Sequence, residues 1–194
     1  MLSKVKLLSI TPYYMKLLKH SAGMCYQQEA TDKTIEHIIA AGHLSVLEHC
    51  SASFEVTCSI QTLLQLTRHR HLSFTVQSSR GSQLTSCYQC GDVYIDRLNG
   101  QLLHSYVACL DLGVSNEVAA YMLPKAAEYK LVVTGNFRAW FEYLPKRLCA
   151  RAQEEHRELA LEIQRELAAA APEVFNRDFK NCKNCTESRC AFHG

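Results

Sequence analysis

From Ser53 to Ile60 the chain alternates without exception, with Phe54, Val56, Cys58 and Ile60 on one side and Ser53, Glu55, Thr57 and Ser59 on the other. A period of two sends successive side chains to opposite faces of an extended strand, so this segment calls for a sheet with one packed face and one wet face. Such a sheet needs a covering layer, which the flanking patterns supply as helices. Thr31 to Ala41 carries a capping Thr, Asp32 in the first turn and apolar Ile35, Ile38 and Ile39, predicting a helix that stops near Gly42. Gln61 to His69 passes to helical spacing through Leu63, Leu64 and Leu66. Asp92 to Leu112 reads as helix with a break near Asn99-Gly100, and Ser115 caps a short helix that ends before Pro124. Tyr129 to Thr134 reads as a second strand. Beyond Gly135 and Asn136 helical spacing runs to Ala171, ended by Pro172, with Pro145 kinking it or dividing it in two and Leu159, Ile163 and Leu167 forming its stripe. Runs of helix with a few separated strands place the chain in the α+β class.

Apolar residues at 47% and charged residues at 21% exclude disorder for the bulk of the chain. With no internal repeat and no low-complexity linker, residues 1–194 read as one domain, in which 178–194 form a cysteine-rich tail. Lys and Arg total 21 against 19 Asp and Glu, a formal net charge of +2, too small to argue for nucleic acid or an anionic membrane as partner. Any anion site must be local. The longest apolar runs, Leu131 to Val133 and Ala168 to Ala171, fall far short of the roughly 20 residues that cross a bilayer. The N-terminal leucines are interrupted by lysines and lack a small-residue cleavage site, so the expected location is the cytoplasm.

Ten cysteines in such a chain read as reduced thiols, metal ligands or redox groups. Cys87-x-x-Cys90 and Cys182-x-x-Cys185 are spaced like the halves of a zinc ribbon, though much farther apart, and Cys182, Cys185, Cys190 and His193 could wrap one ion within the tail. The alternative is a set of free thiols, and no metal is required by the reading that follows. His43 and His49, six apart, have no Cys or carboxylate support as ligands. Glu48 is expected to orient His49 or cap a turn, and Trp140, Phe141 and Tyr143 to pack in the core.

The segment RHRHLSFTVQSSR, Arg68 to Arg80, gathers Arg68, His69, Arg70 and His71, then Ser78, Ser79 and Arg80. Guanidinium forks contact phosphate oxygens in pairs, and serine hydroxyls and loop amides complete such a cradle, so the composition suits a nucleotide phosphate as well as a solvated basic turn.

Arg68-His69-Arg70 followed after seven residues by Ser78, then Arg80, resembles the signature of the flavin-dependent thymidylate synthases. So do GHLSVLEH (Gly42 to His49), Gln65 three residues before the signature, Leu123-Pro124, TGNFRAW (Thr134 to Trp140), Arg147 and LCARAQ (Leu148 to Gln153), in order across most of residues 31 to 175. The resemblance implies mixed helices around a small antiparallel sheet, with long C-terminal helices. It further implies an FAD-dependent homotetramer, with active sites at subunit interfaces, that makes dTMP from dUMP with 5,10-methylenetetrahydrofolate and NADPH. Arg68, His69, Arg70, Asn136 and Arg138 would contact FAD. Gln65, Ser78, Ser79 through its backbone, Arg80 and Arg147 would hold dUMP, with Arg147 and His49 nearest the chemistry. The chain departs from the family pattern at Ala120, where an Arg helps bind the nucleotide, and at Val76 and Gly81, usually Glu or Gln and Tyr. Those departures admit two other readings, a flavin- or nucleotide-binding homologue acting on another pyrimidine nucleotide, or one without synthase activity. A zinc-dependent nucleic-acid module would rest on the cysteine pairs and the RHRH run, against the near-neutral charge.

Overall fold

Alternation from Ser51 to Ser59 builds strand β2, whose Phe54, Val56 and Cys58 are fully buried while Glu55 faces solvent. The computed structural model describes residues 4–25, 27–180, 182, 185, 186 and 190. In chain order the elements are β1 (Val5–Ile10), α1 (Tyr14–Met24), α2 (Asp32–Ala40), a 3-10 turn (Leu44–His49), β2 (Ser51–Ser59), α3 (Ile60–Leu66), β3 (Leu72–Val76), α4 (Val93–Asp111), α5 (Asn116–Ala119), a second 3-10 turn (Ala120–Met122), β4 (Glu128–Asn136), α6 (Phe137–Arg147), α7 (Glu154–Ala170) and α8 (Pro172–Phe175). The four strands form one antiparallel sheet in the order β1-β2-β4-β3. This is the α+β arrangement expected, with a small antiparallel sheet and long C-terminal helices.

The packed face of the sheet meets α6 and α7. Trp140 of α6 lies edge-on to Phe54 with ring centroids 5.2 Å apart, and its indole N–H donates to the Ala52 carbonyl at 3.1 Å. Trp140 and Tyr143 are core residues, as the sequence implies. Leu159, Ile163 and Leu167 of α7, all buried, continue the same core. Gly135 of β4 sits where a Cβ would lie 2.3 Å from Leu72 Cδ2 and 3.2 Å from the Trp140 indole nitrogen. Gly135→Ala therefore overfills a closed corner. We expect it to cost about 1–3 kcal/mol in urea unfolding with an unchanged m-value.

Three expectations change. Helix α4 runs unbroken through Asn99-Gly100, capped by Asp92 Oδ1, which accepts from the Tyr94 and Ile95 amides. Gly100 faces open space, so it weakens the helix without ending it. The C-terminal helices divide after Arg147, at 148–153, not at Pro145, which lies two residues from the α6 end and removes a single hydrogen bond there. Strands β1 and β3 and helix α1 were not foreseen. In β1 the alternation fails at Leu7-Leu8, where the pairing with β2 shifts register, and β3 alternates over five residues only, inside a cationic segment. Among the described residues no helix is long and apolar enough to cross a membrane.

Candidate functional site

Strand pairing brings three segments to one end of β4. Ser51 pairs with Asn136, which sets the 3-10 turn before β2 beside the start of α6. Leu72 pairs with Gly135, which sets Arg68 to His71 at the same place. Between them lie a cavity of about 240 Å³ lined by Arg68, His69, Arg70, Tyr143 and Lys146, among others, and one of about 280 Å³ lined by Glu48, Asn136 and Arg138. The two share His71, Ala139 and Glu142.

Support for the first cavity begins at α3. Ser59 caps it, its Oγ accepting from the Thr62 amide at 3.2 Å. Glu155, at the first turn of α7 and 4% exposed, accepts from the Ser59 amide at 2.7 Å and from Ser59 Oγ. Thr62 Oγ1 lies 2.6 Å from Glu155 Oε2 and 2.9 Å from Gln153 Oε1, two acceptors that share its one proton. Gln153 Oε1 also accepts from Gln65 Nε2 at 3.0 Å, which orients the Gln65 amide. Arg147, at the end of α6, then donates from Nη1 to Gln65 Oε1 at 3.5 Å and from Nη2 to the Gln65 carbonyl at 3.4 Å. Its Nε–H goes to His69 Nε2 at 2.8 Å. Three of the five guanidinium N–H groups are thus engaged, and two are left for a ligand.

As an acceptor, His69 must be neutral. Burial, then the charges of Arg147 and Lys146, hold its pKa down at about 4, and burial holds that of His156, behind it on α7, at about 3. Both imidazoles are neutral in the folded chain at pH values where the unfolded chain binds protons, so stability is full above about pH 6.5 and falls as pH drops from there towards 4. Urea unfolding at pH 5 should give a stability lower by about 1–3 kcal/mol than at pH 7, and a His156→Phe variant should lose less.

In the second cavity Asn136 caps α6, its Oδ1 accepting from the Ala139 amide at 2.8 Å. Arg138 donates from Nε to Glu142 at 2.9 Å and from Nη1 to Glu48 at 2.5 Å, two contacts that raise its pKa further. Glu48 therefore grips Arg138; the expected pairing with His49 gives way because residue 48 turns towards α6. His49 stands exposed at the end of the 3-10 turn.

Ser78, Ser79 and Arg80 lie elsewhere. β3 carries the chain from Leu72, opposite Gly135, to Val76, opposite Leu131, about 13 Å along the sheet. Beyond it the Arg80 amide donates to Ser78 Oγ at 3.3 Å, and the exposed Arg80 guanidinium meets Glu117 at 3.3 Å. Within one chain, then, Gln65, Arg68, His69, Arg70, Asn136, Arg138 and Arg147 gather at one end of the sheet and Ser78 to Arg80 at the other. Glu155, Gln153, Glu142, Lys146 and Glu117 were not foreseen as parts of either group. Only Gln153 carried a signal, as the last residue of the LCARAQ block. Among the described residues no three His, Cys, Asp or Glu side chains are grouped to hold a metal; Cys182, Cys185 and Cys190 are described and His193 lies outside the described residues.

The family profile described as thymidylate synthase complementing protein matches residues 6–173. The chain belongs to the flavin-dependent thymidylate synthase family. It is 32% identical to the flavin-dependent thymidylate synthase of Mycolicibacterium gilvum, over 84% of this chain and 79% of that one. It is 34% identical to the enzyme of the same name from Mycolicibacterium vanbaalenii, over 84% and 79%. The fold is that of thymidylate synthase X from Helicobacter pylori, solved with FAD and dUMP: the TM-score is 0.80 at 20% identity, over 89% of this chain and 96% of that one. The readings without synthase activity, or with another nucleotide, find no support among these relatives of the flavin-dependent thymidylate synthases.

Proposed function

We propose that this flavin-dependent thymidylate synthase converts dUMP to dTMP, with 5,10-methylenetetrahydrofolate giving the carbon and NADPH the reducing equivalents. The observation that carries the reading is Arg147, fixed by His69 and Gln65 with two N–H groups free, beside a cavity edged by Arg68 and Arg70. A dinucleotide pyrophosphate needs several cations at one place, and Arg68, Arg70, Arg138 and Lys146 line the two joined cavities, so the residues suit FAD. In this reading Arg68, His69, Arg70, Asn136 and Arg138 hold the flavin nucleotide, with Glu48 and Glu142 aiming the Arg138 fork. FAD, when bound, supplies the electrons that reduce the transferred one-carbon unit to a methyl group.

Gln65 and Arg147 hold the pyrimidine nucleotide, and Ser78, the Ser79 backbone and Arg80 hold its phosphate. Ser78 binds without attacking: its Oγ accepts from the Arg80 amide, and catalysis needs orientation more than a nucleophile. His49 lies near the nucleotide and folate. Because β3 separates Arg80 from Arg147, the phosphate-binding segment of one subunit completes the pocket of another. A homotetramer with sites at its interfaces fits this. So does helix α4, with Val93, Tyr94, Ile95, Leu98 and Leu102 exposed. Nucleic acid and membrane are not partners in this reading, and the enzyme acts in the cytoplasm.

Tritium at C5 of dUMP tests the activity. When methylenetetrahydrofolate and NADPH are present the purified yellow protein should release it as water while dTMP forms, since the new carbon displaces the C5 hydrogen as a proton. Flavin binding without tritium release would refute the assignment.

A further inference from the structure

Among the described residues, Tyr143 and His156 are buried to 1% and 0% exposure, yet Tyr143 Oη and both His156 nitrogens have no hydrogen-bond partner. Phenylalanine or leucine would fill the same space without stranding polar atoms. Both rings enclose His69. Tyr143 meets it edge-on at 4.8 Å between centroids, His156 meets it edge-on at 6.2 Å, and the two lie 5.8 Å from each other. Edge-to-face contacts of this kind hold three rings in fixed orientation.

The visible task of His69 is to accept the Arg147 Nε–H, which an imidazolium, with a proton on each nitrogen, cannot do. We propose that Tyr143 and His156 are positioning residues for Arg147: their rings keep water from the inner side of His69, away from the cavity, leave its Nε2 free as acceptor, and so fix the guanidinium with its unused N–H groups towards the nucleotide. The proposal rests on the assignment of Arg147 to the nucleotide. Around His69 the charged and titratable groups are Arg147, Lys146, Tyr143 and Glu142 from α6, His156 from α7, and Arg68, Arg70 and His71 from its own segment. Cations outnumber the single carboxylate, which favours the neutral ring once water is excluded.

Ring nitrogen NMR of histidine-labelled, FAD-loaded enzyme tests this without nucleotide. In the wild type His69 should stay neutral below pH 5. In His156→Ala its titration should move up by about one pH unit or more as water enters, and between pH 8 and pH 4.5 the affinity for dUMP should fall at least about threefold more than it does in the wild type. His156→Phe, which keeps the ring and drops the stranded nitrogens, should titrate as wild type and bind dUMP within about twofold of it; a role played through the polar atoms would instead make it resemble His156→Ala. His156→Val serves where the alanine variant does not fold. An unchanged His69 titration in the folded alanine or valine variant overturns the proposal, as does a phenylalanine variant that behaves like alanine. If wild type binds no dUMP while His69 titrates as stated, the substrate assignment fails and the enclosure of His69 stands.

Discussion

Arg147→Ala should lower kcat/KM for dUMP at least about 100-fold and raise the dUMP dissociation constant by about 10- to 150-fold, with FAD affinity changed little. A charged hydrogen bond contributes about 1.5–3 kcal/mol, and tenfold in affinity is about 1.4 kcal/mol. The separation of effects follows from the geometry: Arg147 reaches Gln65 and His69, whereas Arg138 stands in the neighbouring cavity against Glu48 and Glu142. Arg147→Lys keeps the charge but cannot span Gln65 and His69 with one planar group, so it should recover only a small part of the loss. Isothermal titration of dUMP and absorbance titration of FAD read the two affinities separately. Equal losses in both would show that Arg147 supports the pocket as a whole and has no particular hold on the nucleotide.

Glu155→Leu should be the most damaging substitution to stability, about 2–4 kcal/mol, or a Tm lower by roughly 5–12 °C. The carboxylate is buried and accepts from the Ser59 amide, the Ser59 hydroxyl and Thr62 Oγ1. Removing it strands the first two donors in the interior and unties α7 from α3. The consequence reaches the site through the backbone, because Gln153, which meets Thr62 and orients Gln65, lies only two residues before the lost anchor. Differential scanning fluorimetry gives the stability. A Tm within 2 °C of wild type would mean that α3 and α7 hold together by apolar packing alone.

Much of this was legible in the sequence and some was not, for physical reasons. The strict period of β2 and the run Tyr129 to Thr134 disclosed the two central strands because both bury one face fully. β1 is an edge strand with a register shift at its adjacent leucines, so its period is spoiled where it matters. Helix α4 survives Asn99-Gly100 because the glycine faces solvent and a well-capped 19-residue helix absorbs its cost. Among the candidate site residues, Arg68, His69 and Arg70 stand out by type and spacing, whereas Arg147 is marked only by the family resemblance. What no local pattern carries is pairing across the chain: Arg147 with His69, 78 residues apart, or Arg138 with Glu48, 90 apart. Glu155 looked like one more charge on a polar helix face. Its burial depends on where α3 docks, which is a tertiary fact.

The most direct test is to mix two disabled proteins. Arg80→Ala and Arg147→Ala, each reduced to a small residue of activity when alone, are refolded together in equal amounts and assayed for tritium release from C5-labelled dUMP. A pocket formed by Arg147 of one subunit and Arg80 of another regains an intact site wherever an Arg80→Ala chain supplies Arg147 and an Arg147→Ala chain supplies Arg80, about a quarter of the sites under random assembly. Activity near that fraction of wild type is the expected result. Activity no higher than that of the separate variants, in a mixture shown to have exchanged subunits, would place both arginines in one chain's pocket and contradict a site built across the interface.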